Sequence, residues 1–224
     1  MHFKKFLVPI FTILILACQS FAVSTTDQTC TQNASEYVLT DFPAGKLDLD
    51  LIHLENCQAC VKLKSNLFAV SCRESKNKSQ NDDGLKLFLI EKTKDIDKPV
   101  IRYQSKCAED SYYMHLSVFK KVNTDNDLII LAETGAEFSY GIGVYWLQNM
   151  QMTYVGELDV TVDEDNTPSS AVAFTKIFQD DDQLIFTFTK DVLILQNNGD
   201  YKKINKNRLR YQYKAGKLEK IEMR

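Results

Sequence analysis

Cys57-Gln58-Ala59-Cys60 has the spacing of a redox centre. A dithiol so spaced exchanges disulfides when its first cysteine sits at a helix N-terminus, where the thiolate is stabilised. The flanking order suits that use: a leucine run (Leu47, Leu49, Leu51, Leu54) reads as a strand, and Val61-Lys62-Leu63-Lys64 can open a helix. The rest of the chain lacks the alternating strands and helices on which such sites are built. The remaining cysteines supply the competing chemistry. Cys57, Cys60, Cys72 and Cys107 can form two structural disulfides, with Cys57 or Cys60 joined to Cys72, the other to Cys107, and Cys30 left over. Structural bridging outweighs redox work here. Zinc fares worse, because residues 23–224 offer only His53 and His115 to complete a ligand set.

Other candidate sites are thinner. Asn123, Asp125 and Asp127 place oxygen ligands at alternate positions, as calcium loops do, but Leu128 stands where such a loop bends on glycine. A solvated turn is the favoured reading, and no cofactor is expected. Asp163-Glu164-Asp165 and Asp180-Asp181-Asp182 likewise read as exposed turns. His115, between Met114 and Leu116, reads as a structural strand histidine. No GxSxG elbow, HExxH pair or phosphate-cradling glycine loop occurs.

Charge gives the strongest pointer to a partner. Residues 202–224 hold nine basic residues against Glu219 and Glu222, a net of +7. Residues 23–201 carry −12, so the molecule is electrically lopsided. Lys206, Arg208 and Arg210, with Tyr211 and Tyr213 interleaved, form the candidate partner-binding set. The competing account is an edge hairpin protected by lysine against sheet-to-sheet aggregation.

The elements that must position these groups are strands. From Phe138 to Trp146 every second residue is apolar, and the alternation resumes at Met152, Tyr154 and Leu158. A three-residue loop, Gln148-Asn149-Met150, would pair Trp146 with Met152 and Val144 with Tyr154, with the large apolar groups on one face. Shorter alternating runs follow each other at intervals of about ten residues, separated by turn signals such as Asn198-Gly199 and Ala215-Gly216. The expected fold is mainly β: an antiparallel meander, sandwich or blade-like stack of hairpins with little helix.

Residues 1–22 read as a signal peptide, with Lys4 and Lys5 before the apolar run Phe6–Ala17 and a small-x-small site at Ser20-Phe21-Ala22. Ile15-Leu16-Ala17-Cys18 resembles the lipobox of bacterial lipoproteins, in which Cys18 would be acylated. Residues 23–45 then form a polar lead or tether, and residues 46–224 a single antiparallel β domain with a mobile loop at 73–83. The mature chain has no transmembrane run. These features point to a periplasmic or secreted protein, or one anchored by Cys18 to the outer membrane. The expected role is a non-catalytic envelope module of inhibitor or immunity type that engages a protein partner. The basic end could also meet an anionic surface, and export disfavours nucleic acid. The alternatives are a thiol-disulfide oxidoreductase working through Cys57 and Cys60, and a structural envelope lipoprotein.

Overall fold

The computed structural model describes residues 34–74, 84–93, 98–108 and 110–223. Residues 1–33, with the expected signal peptide, Cys18 and Cys30, residues 75–83 of the expected loop, and Arg224 lie outside the described residues.

Within them the chain is built of antiparallel strands and three short 3-10 turns. In chain order the first strands are β1 (Ser35–Leu39), β2 (Leu54–Lys62), β3 (Leu67–Glu74), β4 (Lys86–Glu91) and β5 (Val100–Gln104). A meander follows: β6 (Tyr113–Lys121), β7 (Asp127–Gly135), β8 (Ser139–Gln148) and β9 (Gln151–Leu158). Then come β10 (Thr161–Glu164), β11 (Thr167–Ser169), β12 (Thr175–Asp180) and β13 (Gln183–Phe188). The last hairpins are β14 (Val192–Leu195) with β15 (Tyr201–Ile204), and β16 (Leu209–Lys214) with β17 (Lys217–Glu222).

Nine strands form one sheet in the order β17-β16-β13-β12-β1-β6-β7-β8-β9. Its two edge strands meet. Leu218 of β17 packs on Gly156 of β9, where a Cβ would collide with it, and Lys220 Nζ bonds Asp159 Oδ2 at 2.7 Å. The sheet therefore curls on itself and closes through side chains. Its inner face is filled by Ile129, Leu131, Ile142, Val144, Ile177, Phe186 and their neighbours. A four-stranded sheet, β11-β10-β14-β15, adds Val162, Val192 and Ile194 to the same core. The other four-stranded sheet, β2-β3-β4-β5, covers the outer face of β6–β8, packing Leu67, Ala69, Leu87 and Leu89 against Val118, Leu128, Ile130 and Leu147. Each of these Leu, Ile and Val side chains contributes about 1.5–3 kcal/mol on full burial. Leu128-Ile129-Ile130-Leu131 is an unbroken apolar run because β7 is buried on both faces.

The polar groups of the inner core are paired. Asp127 Oδ1 accepts from Tyr37 Oη and from Trp146 Nε1, each at 2.7 Å, and its Oδ2 accepts from Gln148 Nε2 at 3.2 Å. Lys121 Nζ stands 3.6 Å from the same carboxylate, which keeps a nearly buried charge compensated.

Three sequence expectations need correction. The β8–β9 turn has two residues, Asn149 and Met150, both at positive φ, so Trp146 faces Thr153. A primed turn of this kind matches strand twist. The phase is restored by a bulge: Val155 is extra between the pairs Tyr145–Tyr154 and Val144–Gly156, and Ile142 meets Leu158. Trp146 and Val144 are buried as the alternation predicts, but Phe138, Tyr140 and Tyr154 are exposed, and Met152 packs toward the outer core. Second, the stretch read as a polar lead contains β1, whose Tyr37 is buried at the centre of the large sheet. Third, Leu47 and Leu49 do not form a strand; they pack beside Ile52 over Val70, Phe88 and Ile90, and a 3-10 turn at Asp50–Ile52 precedes β2.

Candidate functional site

The cysteine pair is the first test. Cys57 and Cys60 both lie inside β2, and Val61 and Lys62 continue that strand where a helix was expected. Between the pairs Glu55–Arg73 and Ala59–Ser71 the register shifts, so that Asn56, Cys57 and Gln58 stand against Cys72 alone. Asn56 makes the bulge possible with φ of 51°. This brings Cys57 and Cys72 to a Cα separation of 4.0 Å, and they are disulfide-bonded. The other expected bridge is absent: Cys60 and Cys107 carry thiols. Cys60 pairs in register with Val70 and packs on the Phe68–Phe88 cluster, whereas Cys107 accepts the Gly84 N–H on its Sγ at 2.9 Å. Burial pushes the Cys60 thiol above its usual range, the opposite of what a disulfide-exchanging thiolate needs.

One of the two residues between the cysteines has a use. Gln58 Nε2 donates to the carbonyl of Tyr112 at 2.5 Å, and its Oε1 accepts from the Met114 N–H at 2.8 Å. The side-chain amide thus pairs with the edge of β6 as a strand residue would, beyond the point where β1 stops pairing at Phe119. The bulge and disulfide aim Gln58 at that edge and tie the two sheets together.

The calcium candidates diverge. Asp125 pairs with Lys120 at 2.5 Å, which holds its carboxyl below the usual range, while Asp127 belongs to the Tyr37–Trp146 network. Asn123 occupies the turn at φ of 65°. No group of three His, Cys, Asp or Glu side chains able to hold a metal ion occurs among the described residues.

The basic segment forms a ribbon along β15, the 3-10 turn Lys206–Arg208, β16 and β17. Period two decides which of its residues reach solvent. Leu209, Tyr211 and Tyr213 point inward and are buried, so the two tyrosines of the expected binding set are core residues. Tyr213 stands edge-on to Trp146 at 6.3 Å, and Tyr211 Oη donates to Asp159. Burial first, then Asp159, pushes the Tyr211 hydroxyl far above its ordinary value. Several cations are neutralised: Lys202 by Glu222 at 3.1 Å, Lys217 by Glu219 at 2.7 Å and Lys220 by Asp159. Arg208 Nε donates to the Met223 carbonyl at 3.1 Å. Lys203, Lys206 and Lys214 are exposed and make no ion pair among the described residues. Half-buried Arg210 has an Nε without a partner.

An open cleft of about 540 Å³ adjoins this ribbon, lined by Asp159, Ile194, Leu195, Gln196, Asn197, Asn198 and Lys220. Leu195 is 56 % exposed at its rim. The Lys202–Glu222 pair runs alongside, linking the edge strand β15 to β17. No family model, curated protein or solved structure matches the chain. The site therefore rests on its own chemistry. Sequence reading missed the cleft, because Asp159, Leu195 and Lys220 are far apart in the chain. The visible signal was Asn197-Asn198-Gly199, which marks the turn on its wall.

Proposed function

We propose that the chain is an exported cell-envelope binding module of inhibitor or immunity type, which engages an acidic protein partner through the basic ribbon and the cleft beside it. The observation that supports this reading is the conjunction of Lys203, Lys206 and Lys214, left without acidic partners among the described residues, with an uncovered leucine beside an open polar cleft. Lysines whose only role is to guard a sheet edge require no cleft and no exposed Leu195. Interfaces combine such an apolar anchor with a charged rim, the anchor giving affinity and the rim steering the encounter.

The test is capture from the native envelope on immobilised protein. It compares wild type with a Lys203→Glu, Lys206→Glu, Lys214→Glu variant and with Leu195→Asp, at about 0.1 and 0.5 M salt. These positions are exposed, so all proteins should fold alike by circular dichroism. The reading expects an acidic partner retained by wild type at low salt, weakened at high salt and lost from both variants. Equal retention by all three proteins would remove the ribbon and cleft as the binding surface.

A further inference from the structure

A second site stands where β6 begins and β7 turns into β8. Glu133 is only 7 % exposed, yet its carboxylate makes no hydrogen bond or ion pair among the described residues. Its surroundings are aromatic. His115 is its register partner across the ladder, and Tyr113, facing Gly135, stacks on His115 at 4.7 Å. Alternation places Tyr113, His115 and Glu133 on the same sheet face as Phe119 and Leu131. Phe138, just before β8, and Tyr140 within it, 42 % and 44 % exposed, meet edge-on at 5.6 Å. The buried Ser139 side chain also borders this place. It lies near the Tyr113 hydroxyl, which is pushed upward by burial first and by the Glu133 charge second. No lysine or arginine occurs from Ser111 to Phe119 or from Asp127 to Gln148. The Glu133 side chain is largely enclosed but its oxygens keep access to solvent, so a cation from outside can reach the carboxylate.

We propose that Glu133, with Tyr113 beside it and Tyr140 and Phe138 on the adjoining segment, receives a protonated alkylamine or alkylguanidinium, the head group of a lysine or arginine side chain. The carboxylate accepts the N–H groups, the Ser139 hydroxyl offers a further acceptor, and the ring faces hold the charge and its methylene stem. This site is independent of the basic ribbon and stands or falls separately from it.

The experiment titrates the full chain with ethylammonium and ethylguanidinium as chloride salts, following the His115 and tyrosine ring resonances by NMR. Tetramethylammonium and sodium chloride are the controls. The expected result is a saturable shift with Kd in the low millimolar range, the strength of about one desolvated ion pair with ring contacts. Tetramethylammonium, which has no N–H, should bind several-fold more weakly. Glu133→Gln should weaken binding about tenfold or more. Tyr140→Ala, at an exposed position, should weaken it several-fold and decides the matter should Glu133→Gln fail to fold. Nα-acetyl-lysine methylamide matching ethylammonium would indicate a side-chain ligand, whereas its exclusion would indicate a free small amine. Absence of a saturable shift at about 50 mM, equal binding of tetramethylammonium, or unaltered binding by the folded variants would overturn the assignment.

Discussion

Opening the Cys57–Cys72 bridge tests whether this disulfide is structural. The bridge closes a loop with a sequence separation of 15. Releasing a loop of that length from the unfolded ensemble costs about 3 kcal/mol of stability on the chain-entropy account. With a urea m-value near 3 kcal/mol/M, typical of the upper end for single domains, the midpoint should fall by about 1 M. The melting temperature should fall by about 6–12 °C. The cleanest comparison is wild type, oxidised against reduced, because replacing fully buried Cys72 with alanine would add a cavity cost of its own. A local effect should accompany the global one. Gln58 reaches Met114 N–H because the bulge beside the bridge holds it there, so Met114 should exchange its amide hydrogen faster after reduction. A midpoint shift under about 0.3 M, with Met114 protection unchanged, would refute the structural role. Peptide mapping that found Cys57 bonded to Cys60 would refute it more directly.

Two further outcomes follow from the buried network and the buried tyrosines. Asp127→Ala removes the acceptor shared by Tyr37 and Trp146, each at 2.7 Å, and leaves Lys121 with Gln179 but no carboxylate, so it should cost about 3–5 kcal/mol. Trp146 is the sole tryptophan, so its emission should change with the variant, and a loss below about 1 kcal/mol would mean that Tyr37 and Gln179 rescue the site. Tyr37, Tyr145 and Tyr211 are buried and held above the normal tyrosine range, mainly by desolvation. Raised folded values mean that their stabilisation is intact below the unfolded value near 10 and declines above it, by about 1.4 kcal/mol per group per pH unit. Urea midpoints should therefore fall steeply above about pH 10 and less steeply in Tyr37→Phe; a flat profile to about pH 11 would contradict the burial.

How far the chain could be read in advance depended on whether a feature was local. Period two and turn chemistry are local, so the hairpins at Asp181-Asp182, Gly199 and Ala215-Gly216 stand where their residues place them. The register of β8 with β9 was not legible, because the alternation of Met152 and Tyr154 gives no sign of the extra Val155 that reverses the phase. β1 was hidden for a related reason: it contributes one large inward residue, Tyr37, and exposes Glu36, Val38 and Leu39. Cys57-x-x-Cys60 left a redox alternative open because the spacing is the same in a strand bulge as at a helix start; only the partner strand distinguishes them, and the bridge to Cys72 is one of the structural pairings expected. The ribbon was visible as charge, but which face of β16 its tyrosines take depends on the phase of Leu209, Tyr211 and Tyr213, which turns both tyrosines inward.

The same architecture argues for where recognition must occur. The inner face of the large sheet is filled with side chains, and the second sheet covers the outer face over β6–β8. The inner core leaves little room for a ligand, since interiors are packed to crystal-like density. Binding is thus pushed to edges, hairpins and strand ends, where polar groups need not be satisfied internally. Both surfaces singled out here lie at such places: the cleft beside the edge strands β15 and β17, and Glu133 near the β7–β8 turn. Their chemistry is opposite, cationic ribbon in one case and orphaned carboxylate in the other. A partner satisfying both would need an acidic patch and a projecting lysine or arginine. Such a partner should lose affinity on Lys203→Glu and on Glu133→Gln by amounts that add, because the two groups share no contact through which to couple.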